Sequence, residues 1–408
     1  MSTSFKRFKL IYFSAGKIYM FSEKMIDDTT LRDGMQMPGI RAPSPEERLK
    51  IAQYLSDIGI ERIEIFGTWY DIDRKTAQLI LSAGLKCRIA VWVRADIKDI
   101  DDALRLEGLK EVGISHPISD IHLEHKLNIT REECLARISK TVQYAIDHGL
   151  KVFQHGEDCT RADWEFEKQV VEMLVELHAT CYRVCDTVGV GVPSHISPDI
   201  SMCKSIPDKI RYLSQYDIEI EAHFHDDLGN SVTNTLVALQ NGAKWASTTM
   251  LGMGERSGNA ETEKVLMNLR YHYGVNKYNP LLLTEACRYI SKTMDIRIPW
   301  NKALVGVNAF THQSGIHTDG VIKHPETYEF IDPADVGNER KLLVGPYSGK
   351  SVIIFKIKTI VPDVDEKDTR VASVVDYLQN NLFGSGIRKS ALTDEEFRQV
   401  LRVFALIS

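Results

Sequence analysis

From Met25 onward the chain alternates short apolar runs with segments whose apolar residues recur at helical spacing. The runs predict strands at Met25–Thr30, Arg62–Phe66, Arg88–Val93, Glu111–Ser115, Lys151–His155, Tyr182–Cys185, Ile218–His223 and Ala246–Leu251. Between them the helical spacing predicts Pro45–Ile58, Arg131–Asp147, Trp164–Leu177 and Val232–Asn241, with stop glycines at Gly59, Gly84, Gly149 and Gly242. Strands that alternate with helices form a parallel sheet, and eight such units predict closure into an α/β barrel of the TIM type. An open doubly wound sheet is the alternative. Its GxGxxG turn is missing, because the first strand runs into Leu31–Arg32–Asp33–Gly34. After Gly274 the rhythm stops. The rest mixes helical stretches (Leu281–Thr293, Thr369–Leu382) with a loop-rich segment from Val305 to Lys350, read as an appended, mostly helical domain because apolar residues persist. The expected organisation is an extension over 1–24, a catalytic barrel over 25–274 and a C-terminal region over 275–408.

Composition narrows this little. A chain of 408 residues with 43% hydrophobic and 26% charged residues has the balance of a soluble globular protein. A net charge of −6 gives no electrostatic case for nucleic acid or anionic membrane as partner. The seven cysteines (Cys87, Cys134, Cys159, Cys181, Cys185, Cys203 and Cys287) are scattered without a CxxC pair. That argues for reduced thiols in a cytoplasmic setting. Lys6, Arg7, Lys9 and Lys17 precede the first acidic residue, Glu23; a loose extension is expected there, with an organelle transit peptide as the alternative.

In such a barrel the reactive groups come from the C-terminal ends of strands, and the unusual polar residues collect there. Strand one ends in Arg32–Asp33, strand five in His155–Gly156–Glu157–Asp158 and strand six in Asp186–Thr187. Strand seven ends in His223–Phe224–His225–Asp226–Asp227, and strand eight leads into Gly254–Glu255–Arg256–Ser257–Gly258–Asn259. Residues i and i+2 of a strand face the same way, so His223 and His225 aim together into the mouth. Two imidazoles and a carboxylate are a common ligand set for a catalytic divalent ion. From the residues alone that carboxylate is Asp33, Glu157, Asp226 or Asp227. Bland roles compete at each position: Arg32 pairing with Asp33 or Glu157, Glu157 pairing with a nearby arginine, Asp186 and Thr187 or Asn259 capping the next helix.

Asp28–Thr29–Thr30–Leu31–Arg32–Asp33–Gly34, His223–Phe224–His225 and the Gly254–Asn259 loop together resemble the DRE-TIM metallolyase superfamily. Within it the chain resembles the Claisen-condensing branch of isopropylmalate, homocitrate and citramalate synthases. The likeness continues through Ser314–Gly315–Ile316–His317–Thr318–Asp319–Gly320 and Ser348–Gly349–Lys350, which are similar to that branch's lid segment. The resemblance implies a divalent ion (Mg, Mn or Zn) on Asp33, His223 and His225, with Asn259 beside it. It implies acetyl-CoA as co-substrate and a 2-oxo acid as acceptor. Arg32 would steady the oxo-acid carbonyl, Glu157 and Thr187 would orient substrate, and His317, with Tyr328, would carry acid/base chemistry. Gln36, Arg94 and His116 join Arg32 and Thr187 as expected substrate contacts. The branch's lid reaches the partner subunit's site, so a homodimer with exchanged lids is expected.

The chain also departs from the family pattern. Met35 stands where the family has a glutamate, Trp69 and Tyr70 follow strand two where small residues are usual, and strand four ends in Ser115–His116–Pro117. These positions shape the oxo-acid pocket: the aromatics would crowd it or stack on a ring, and Arg94 and His116 are candidates to receive a second anionic group. Little chain follows Ser348–Gly349–Lys350, so no leucine-sensing regulatory domain is expected. A lyase of the hydroxymethylglutaryl-CoA type is the nearest rival. Residues 251–262 lack the cysteine such a lyase places in this loop, and a lyase has no need of the His317 segment. A catalytically inactive barrel serving as a binding protein is the other.

Overall fold

The computed structural model describes residues 21–195 and 204–408. Most of the expected N-terminal extension and Cys203 lie outside the described residues. The described residues form two compact units, divided between Arg297 and Ile298.

The first unit is a closed parallel barrel in strand order one to eight. Its strands are β1 (Met25–Asp28), β2 (Arg62–Phe66), β3 (Arg88–Arg94), β4 (Glu111–Pro117), β5 (Lys151–Glu157), β6 (Cys181–Asp186), β7 (Glu219–Phe224) and β8 (Trp245–Thr248). One long helix follows each strand: α1 (Pro45–Ile58), α2 (Asp71–Leu81), α3 (Ile97–Leu104), α4 (Arg131–Asp147), α5 (Trp164–Glu176), α6 (Ile206–Leu213), α7 (Ser231–Gln240) and α8 (Thr262–Tyr273). A further helix, α9 (Leu283–Met294), completes the unit. Closure is direct: Met25 pairs with Trp245 and Asp28 with Thr248. Local signals set the helix ends. Ser44 and Glu47 form a capping box at the start of α1, and Gly59 closes it at φ 100°, a conformation only glycine takes cheaply.

The strand ends differ from the apolar pattern for identifiable reasons. β1 stops at Asp28 because its carboxylate takes the Thr30 N–H at 2.9 Å, turning the backbone into the Arg32–Asp33 loop. β8 stops at Thr248, and the Met250 N–H goes to the Thr30 hydroxyl at 2.8 Å. β4 and β5 run two residues further than their apolar cores, pairing Pro117 with Glu157. His116 and Glu157 thus stand on strands rather than in loops.

The inside of the barrel is charged rather than wholly aliphatic. Asp27, Arg62, Glu64, Arg183 and Glu221 are all buried. The Arg183 guanidinium bridges Glu64 at 2.8 Å and Glu221 at 2.9 Å and also donates to Asp27, while Arg62 donates to Asp27 and Glu221. Burial on this scale is tolerable only because each charge faces an opposite one. No helix among the described residues is long and apolar enough to cross a membrane.

The second unit has a short parallel pair, β9 (Thr311–His312) with β10 (Lys341–Leu342), and helices α10 (Gly315–Lys323), α11 (Lys350–Ile360), α12 (Thr369–Asp376) and α13 (Asp394–Val403). Its own core is aliphatic and aromatic, built on Val352, Ile353, Ile357, Val374, Leu378 and Phe397. The helical character expected after the barrel is present.

Candidate active site

The C-terminal mouth of the barrel gathers residues from most of its strands. Arg32 and Asp33, in the loop after β1, are 7% and 3% exposed. Arg32 donates from Nε to Glu64 at 2.6 Å and from Nη1 to Asp33 Oδ2 at 2.9 Å. The same Asp33 oxygen lies 3.3 Å from His223 Nε2 and 3.7 Å from His225 Nε2. The two imidazole rings stand perpendicular, 5.2 Å apart. Asp33, His223 and His225 are the cluster of potential metal ligands found among the described residues, one ligand atom from each lying within 4.8 Å of the others.

The four carboxylates left open by the sequence are now distinguishable. Asp226 accepts the Ser231 N–H at the start of α7, Asp227 pairs with Arg256 at 2.9 Å, and Glu157 takes Lys126 at 2.6 Å. Asp33 alone of these meets both imidazoles. Asp186 caps no helix among the described residues: it accepts from the Thr160 hydroxyl and from the Val190 and Gly191 N–H groups in the loop after β6, and the next described helix starts behind Ser205.

The electrostatics fit a cation. Burial would raise the Asp33 carboxyl, but the Arg32 guanidinium and the histidines hold it far below the ordinary carboxylate range. Burial pushes the His223 imidazole down to about 4, and it lowers His225 too, so both rings present neutral nitrogens. His223 Nδ1 lies 2.9 Å from the Ser247 hydroxyl, which orients the ring and leaves Nε2 toward Asp33. Asn259 is buried; its Nδ2 donates to the Met253 carbonyl at 3.0 Å, while Oδ1 is buried with no partner. A buried acceptor left without a donor is what a cation beside it would satisfy. Gly254 makes the loop possible: a Cβ there would fall 2.2 Å from Asn259 Nδ2 and 2.8 Å from Asp33 Oδ1. The residues present therefore fit a divalent ion.

A cavity of about 550 Å³ opens on this cluster, and Arg32, Gln36, Arg94, His116, Glu157 and Thr187 all border it. Arg94 is forked onto Asp99 by two 2.8 Å bonds. Burial opposes ionisation of Glu157, yet the His122 ring 3.3 Å away and the Lys126 ammonium hold its pKa at about 2. The Thr187 hydroxyl accepts the Asp158 N–H at 2.8 Å. Trp69 borders the cavity with Trp92, their rings 5.8 Å apart, whereas Tyr70 is 67% exposed and stands before α2. In the second unit the His317 and Tyr328 rings stack at 4.2 Å.

Two residues escaped the sequence reading. Glu64 anchors Arg32 and also faces His155 Nε2 at 3.3 Å. The signal was present, because Arg62 and Glu64 alternate as charges within an apolar strand and so had to face the barrel interior. Ser247 carries no such mark.

Fold and site together define a TIM barrel with a two-histidine, one-carboxylate cluster at its C-terminal mouth. The chain belongs to the HMGL-like family, whose model matches residues 24–292, and residues 304–380 match the homocitrate synthase post-HMGL domain-like model. It is 36% identical to homocitrate synthase AksA of Methanopyrus kandleri, covering 93% of this chain and 92% of that one. It is 38% identical to 2-isopropylmalate synthase 2 of Caldanaerobacter subterraneus subsp. tengcongensis, covering 82% and 84% respectively. An HMG-CoA lyase structure from Brucella melitensis aligns with a TM-score of 0.55 at 20% identity, over 66% of this chain and 98% of that one, a likeness of fold.

Proposed function

We propose that this chain condenses acetyl-CoA with a 2-oxo acid and hydrolyses the product thioester. The observation that carries the reading is the Asp33–His223–His225 cluster with Arg32 at its edge, in a chain that matches both family models in order. Mg²⁺, Mn²⁺ or Zn²⁺ held by those three side chains, with the Asn259 amide oxygen beside it, supplies Lewis acidity at the ketone of the oxo acid. Arg32, with Nε and Nη1 committed to Glu64 and Asp33, keeps Nη2 for the negative charge that develops on that oxygen. Glu64 fixes the guanidinium from behind, so little reorganisation is needed as charge moves. Glu157, Thr187 and Gln36 orient the substrate.

His317, stacked on Tyr328, is our assignment for moving the proton from the acetyl methyl group. In this reading the C-terminal region expected from residue 275 begins instead with the second unit, and residues 298–408 act as lid and dimerisation region, each lid serving the other protomer. The scattered cysteines suit a reducing cytoplasm. The test is release of free CoA from acetyl-CoA by the metal-loaded protein across branched, dicarboxylic, aromatic and phosphono 2-oxo acids. Thiol release with at least one acceptor is expected; none across the panel, with metal bound, would sink the reading.

A further inference from the structure

The cavity that borders the Asp33 cluster extends to the ends of β3 and β4, and β4 lies across the barrel from β8. Three bases line this far wall: Arg94, Lys126 and Arg137. Two are occupied. Arg94 is forked onto Asp99, and Lys126 donates to Glu157 at 2.6 Å. Arg137, exposed on α4, has no carboxylate partner among the described residues.

Beside it stands His116, 5% exposed. Its Nδ1 lies 2.8 Å from the Pro117 carbonyl, and its Nε2 is buried with no hydrogen-bond partner. Cys134, one turn before Arg137 on α4, brings its Sγ to 3.5 Å from His116 Nδ1, so the helix that carries Arg137 packs against this ring. An unpaired guanidinium and an unsatisfied buried nitrogen on one wall make an incomplete polar site. A guanidinium is shaped for the paired oxygens of a carboxylate or phosphonate. With Nδ1–H given to Pro117, the neutral ring offers Nε2 as an acceptor. An arriving anion therefore brings a proton, carried either on the ligand or on the ring.

We propose that Arg137 and His116 form a subsite for a second anionic group, so that the acceptor is a dianionic 2-oxo acid with a carboxylate or phosphonate at its far end. The inference rests on the 2-oxo acid reading above and names the substrate class within it. It shifts the charge-recognition role from Arg94, which Asp99 neutralises, to Arg137, which no carboxylate among the described residues neutralises.

Isothermal titration of the Mg²⁺-loaded full chain tests this by comparing 2-oxoglutarate with 2-oxopentanoate, and 3-phosphonopyruvate with 2-oxobutanoate. At least one dianion should bind roughly ten- to a hundredfold more tightly than its neutral-tailed counterpart. Arg137→Ala should collapse that ratio toward one, and Arg137→Lys should restore part of it. Equal affinities in the unaltered protein, or a ratio that survives Arg137→Ala, would overturn the subsite. So would loss of coenzyme A affinity alone, which would assign the guanidinium to the thioester substrate. Binding is read without turnover, so a protein that binds dianions through Arg137 yet never releases CoA would defeat the condensation reading and leave the subsite standing.

Discussion

At the scale of single residues, the site depends on how few donors surround a buried carboxylate. Asp33 Oδ2 is shared among Arg32, His223 and His225 within 3.7 Å, and each histidine is kept neutral by burial. Neutral imidazoles are the form that ligates a metal, so no proton need be displaced from them near neutrality. His223→Ala removes one of the three proposed ligands and orphans Ser247 Oγ. Metal affinity should fall by about tenfold or more while the far-ultraviolet circular dichroism stays native. Metal titration with a competing chelator reads it, and full retention of affinity would remove His223 from the ligand set. The i, i+2 spacing of the histidines was legible in the sequence. Their meeting with Asp33 was legible only through the family resemblance, because about 190 residues separate them and the β1–β8 closure brings them together.

At the scale of elements, the strands act as rulers for charge. β2, β6 and β7 place Glu64, Arg183 and Glu221 inside the barrel, and the Arg183–Glu64–Arg32 relay links that interior to the mouth. A buried pair broken from one side leaves an uncompensated charge, a larger loss than the pair's net stabilisation. Arg183→Met should therefore cost about 3–5 kcal/mol in urea unfolding. It should also lower turnover, because Glu64 loses one of the partners that hold it under Arg32. A loss under about 1 kcal/mol would mean that the network is not held at full charge. The apolar runs located all eight strands, but their ends shifted wherever a side chain captured a backbone N–H. Asp28 and Thr30 shortened β1 and β8 in this way, and the Pro117–Glu157 pairing lengthened β4 and β5.

At the scale of the whole molecule, each compact unit has its own core, and the proposed chemistry needs residues from both. If lids are exchanged within a homodimer, each active site combines Asp33, His223 and His225 of one protomer with His317 of the other. Mixing inactive His223→Ala and His317→Ala proteins should then restore activity, to about a quarter of the unaltered level when subunits reassort at random. That value follows from half the dimers carrying one intact site of two. Activity that stays at the level of the parents would place each lid over its own barrel. Exposed Ile316, Phe330 and Tyr347 in the second unit, at 75%, 68% and 82%, are the surface such an exchange would cover.

The sequence by itself determined the barrel, its strand order and the end of it where chemistry would gather. Period-two and helical spacings are local properties that survive without tertiary contacts, and right-handed parallel crossover does the rest. It also marked the histidine pair, since two residues apart on one strand is a local relation. Spacing left four carboxylates open and the family resemblance pointed to Asp33; only the tertiary structure decided that Asp33 meets both rings, that Glu64 stands behind Arg32, and that Arg94 is neutralised while Arg137 meets no carboxylate among the described residues. These are pairings between distant strands and helices, set by closure of the sheet and by which buried charges find partners.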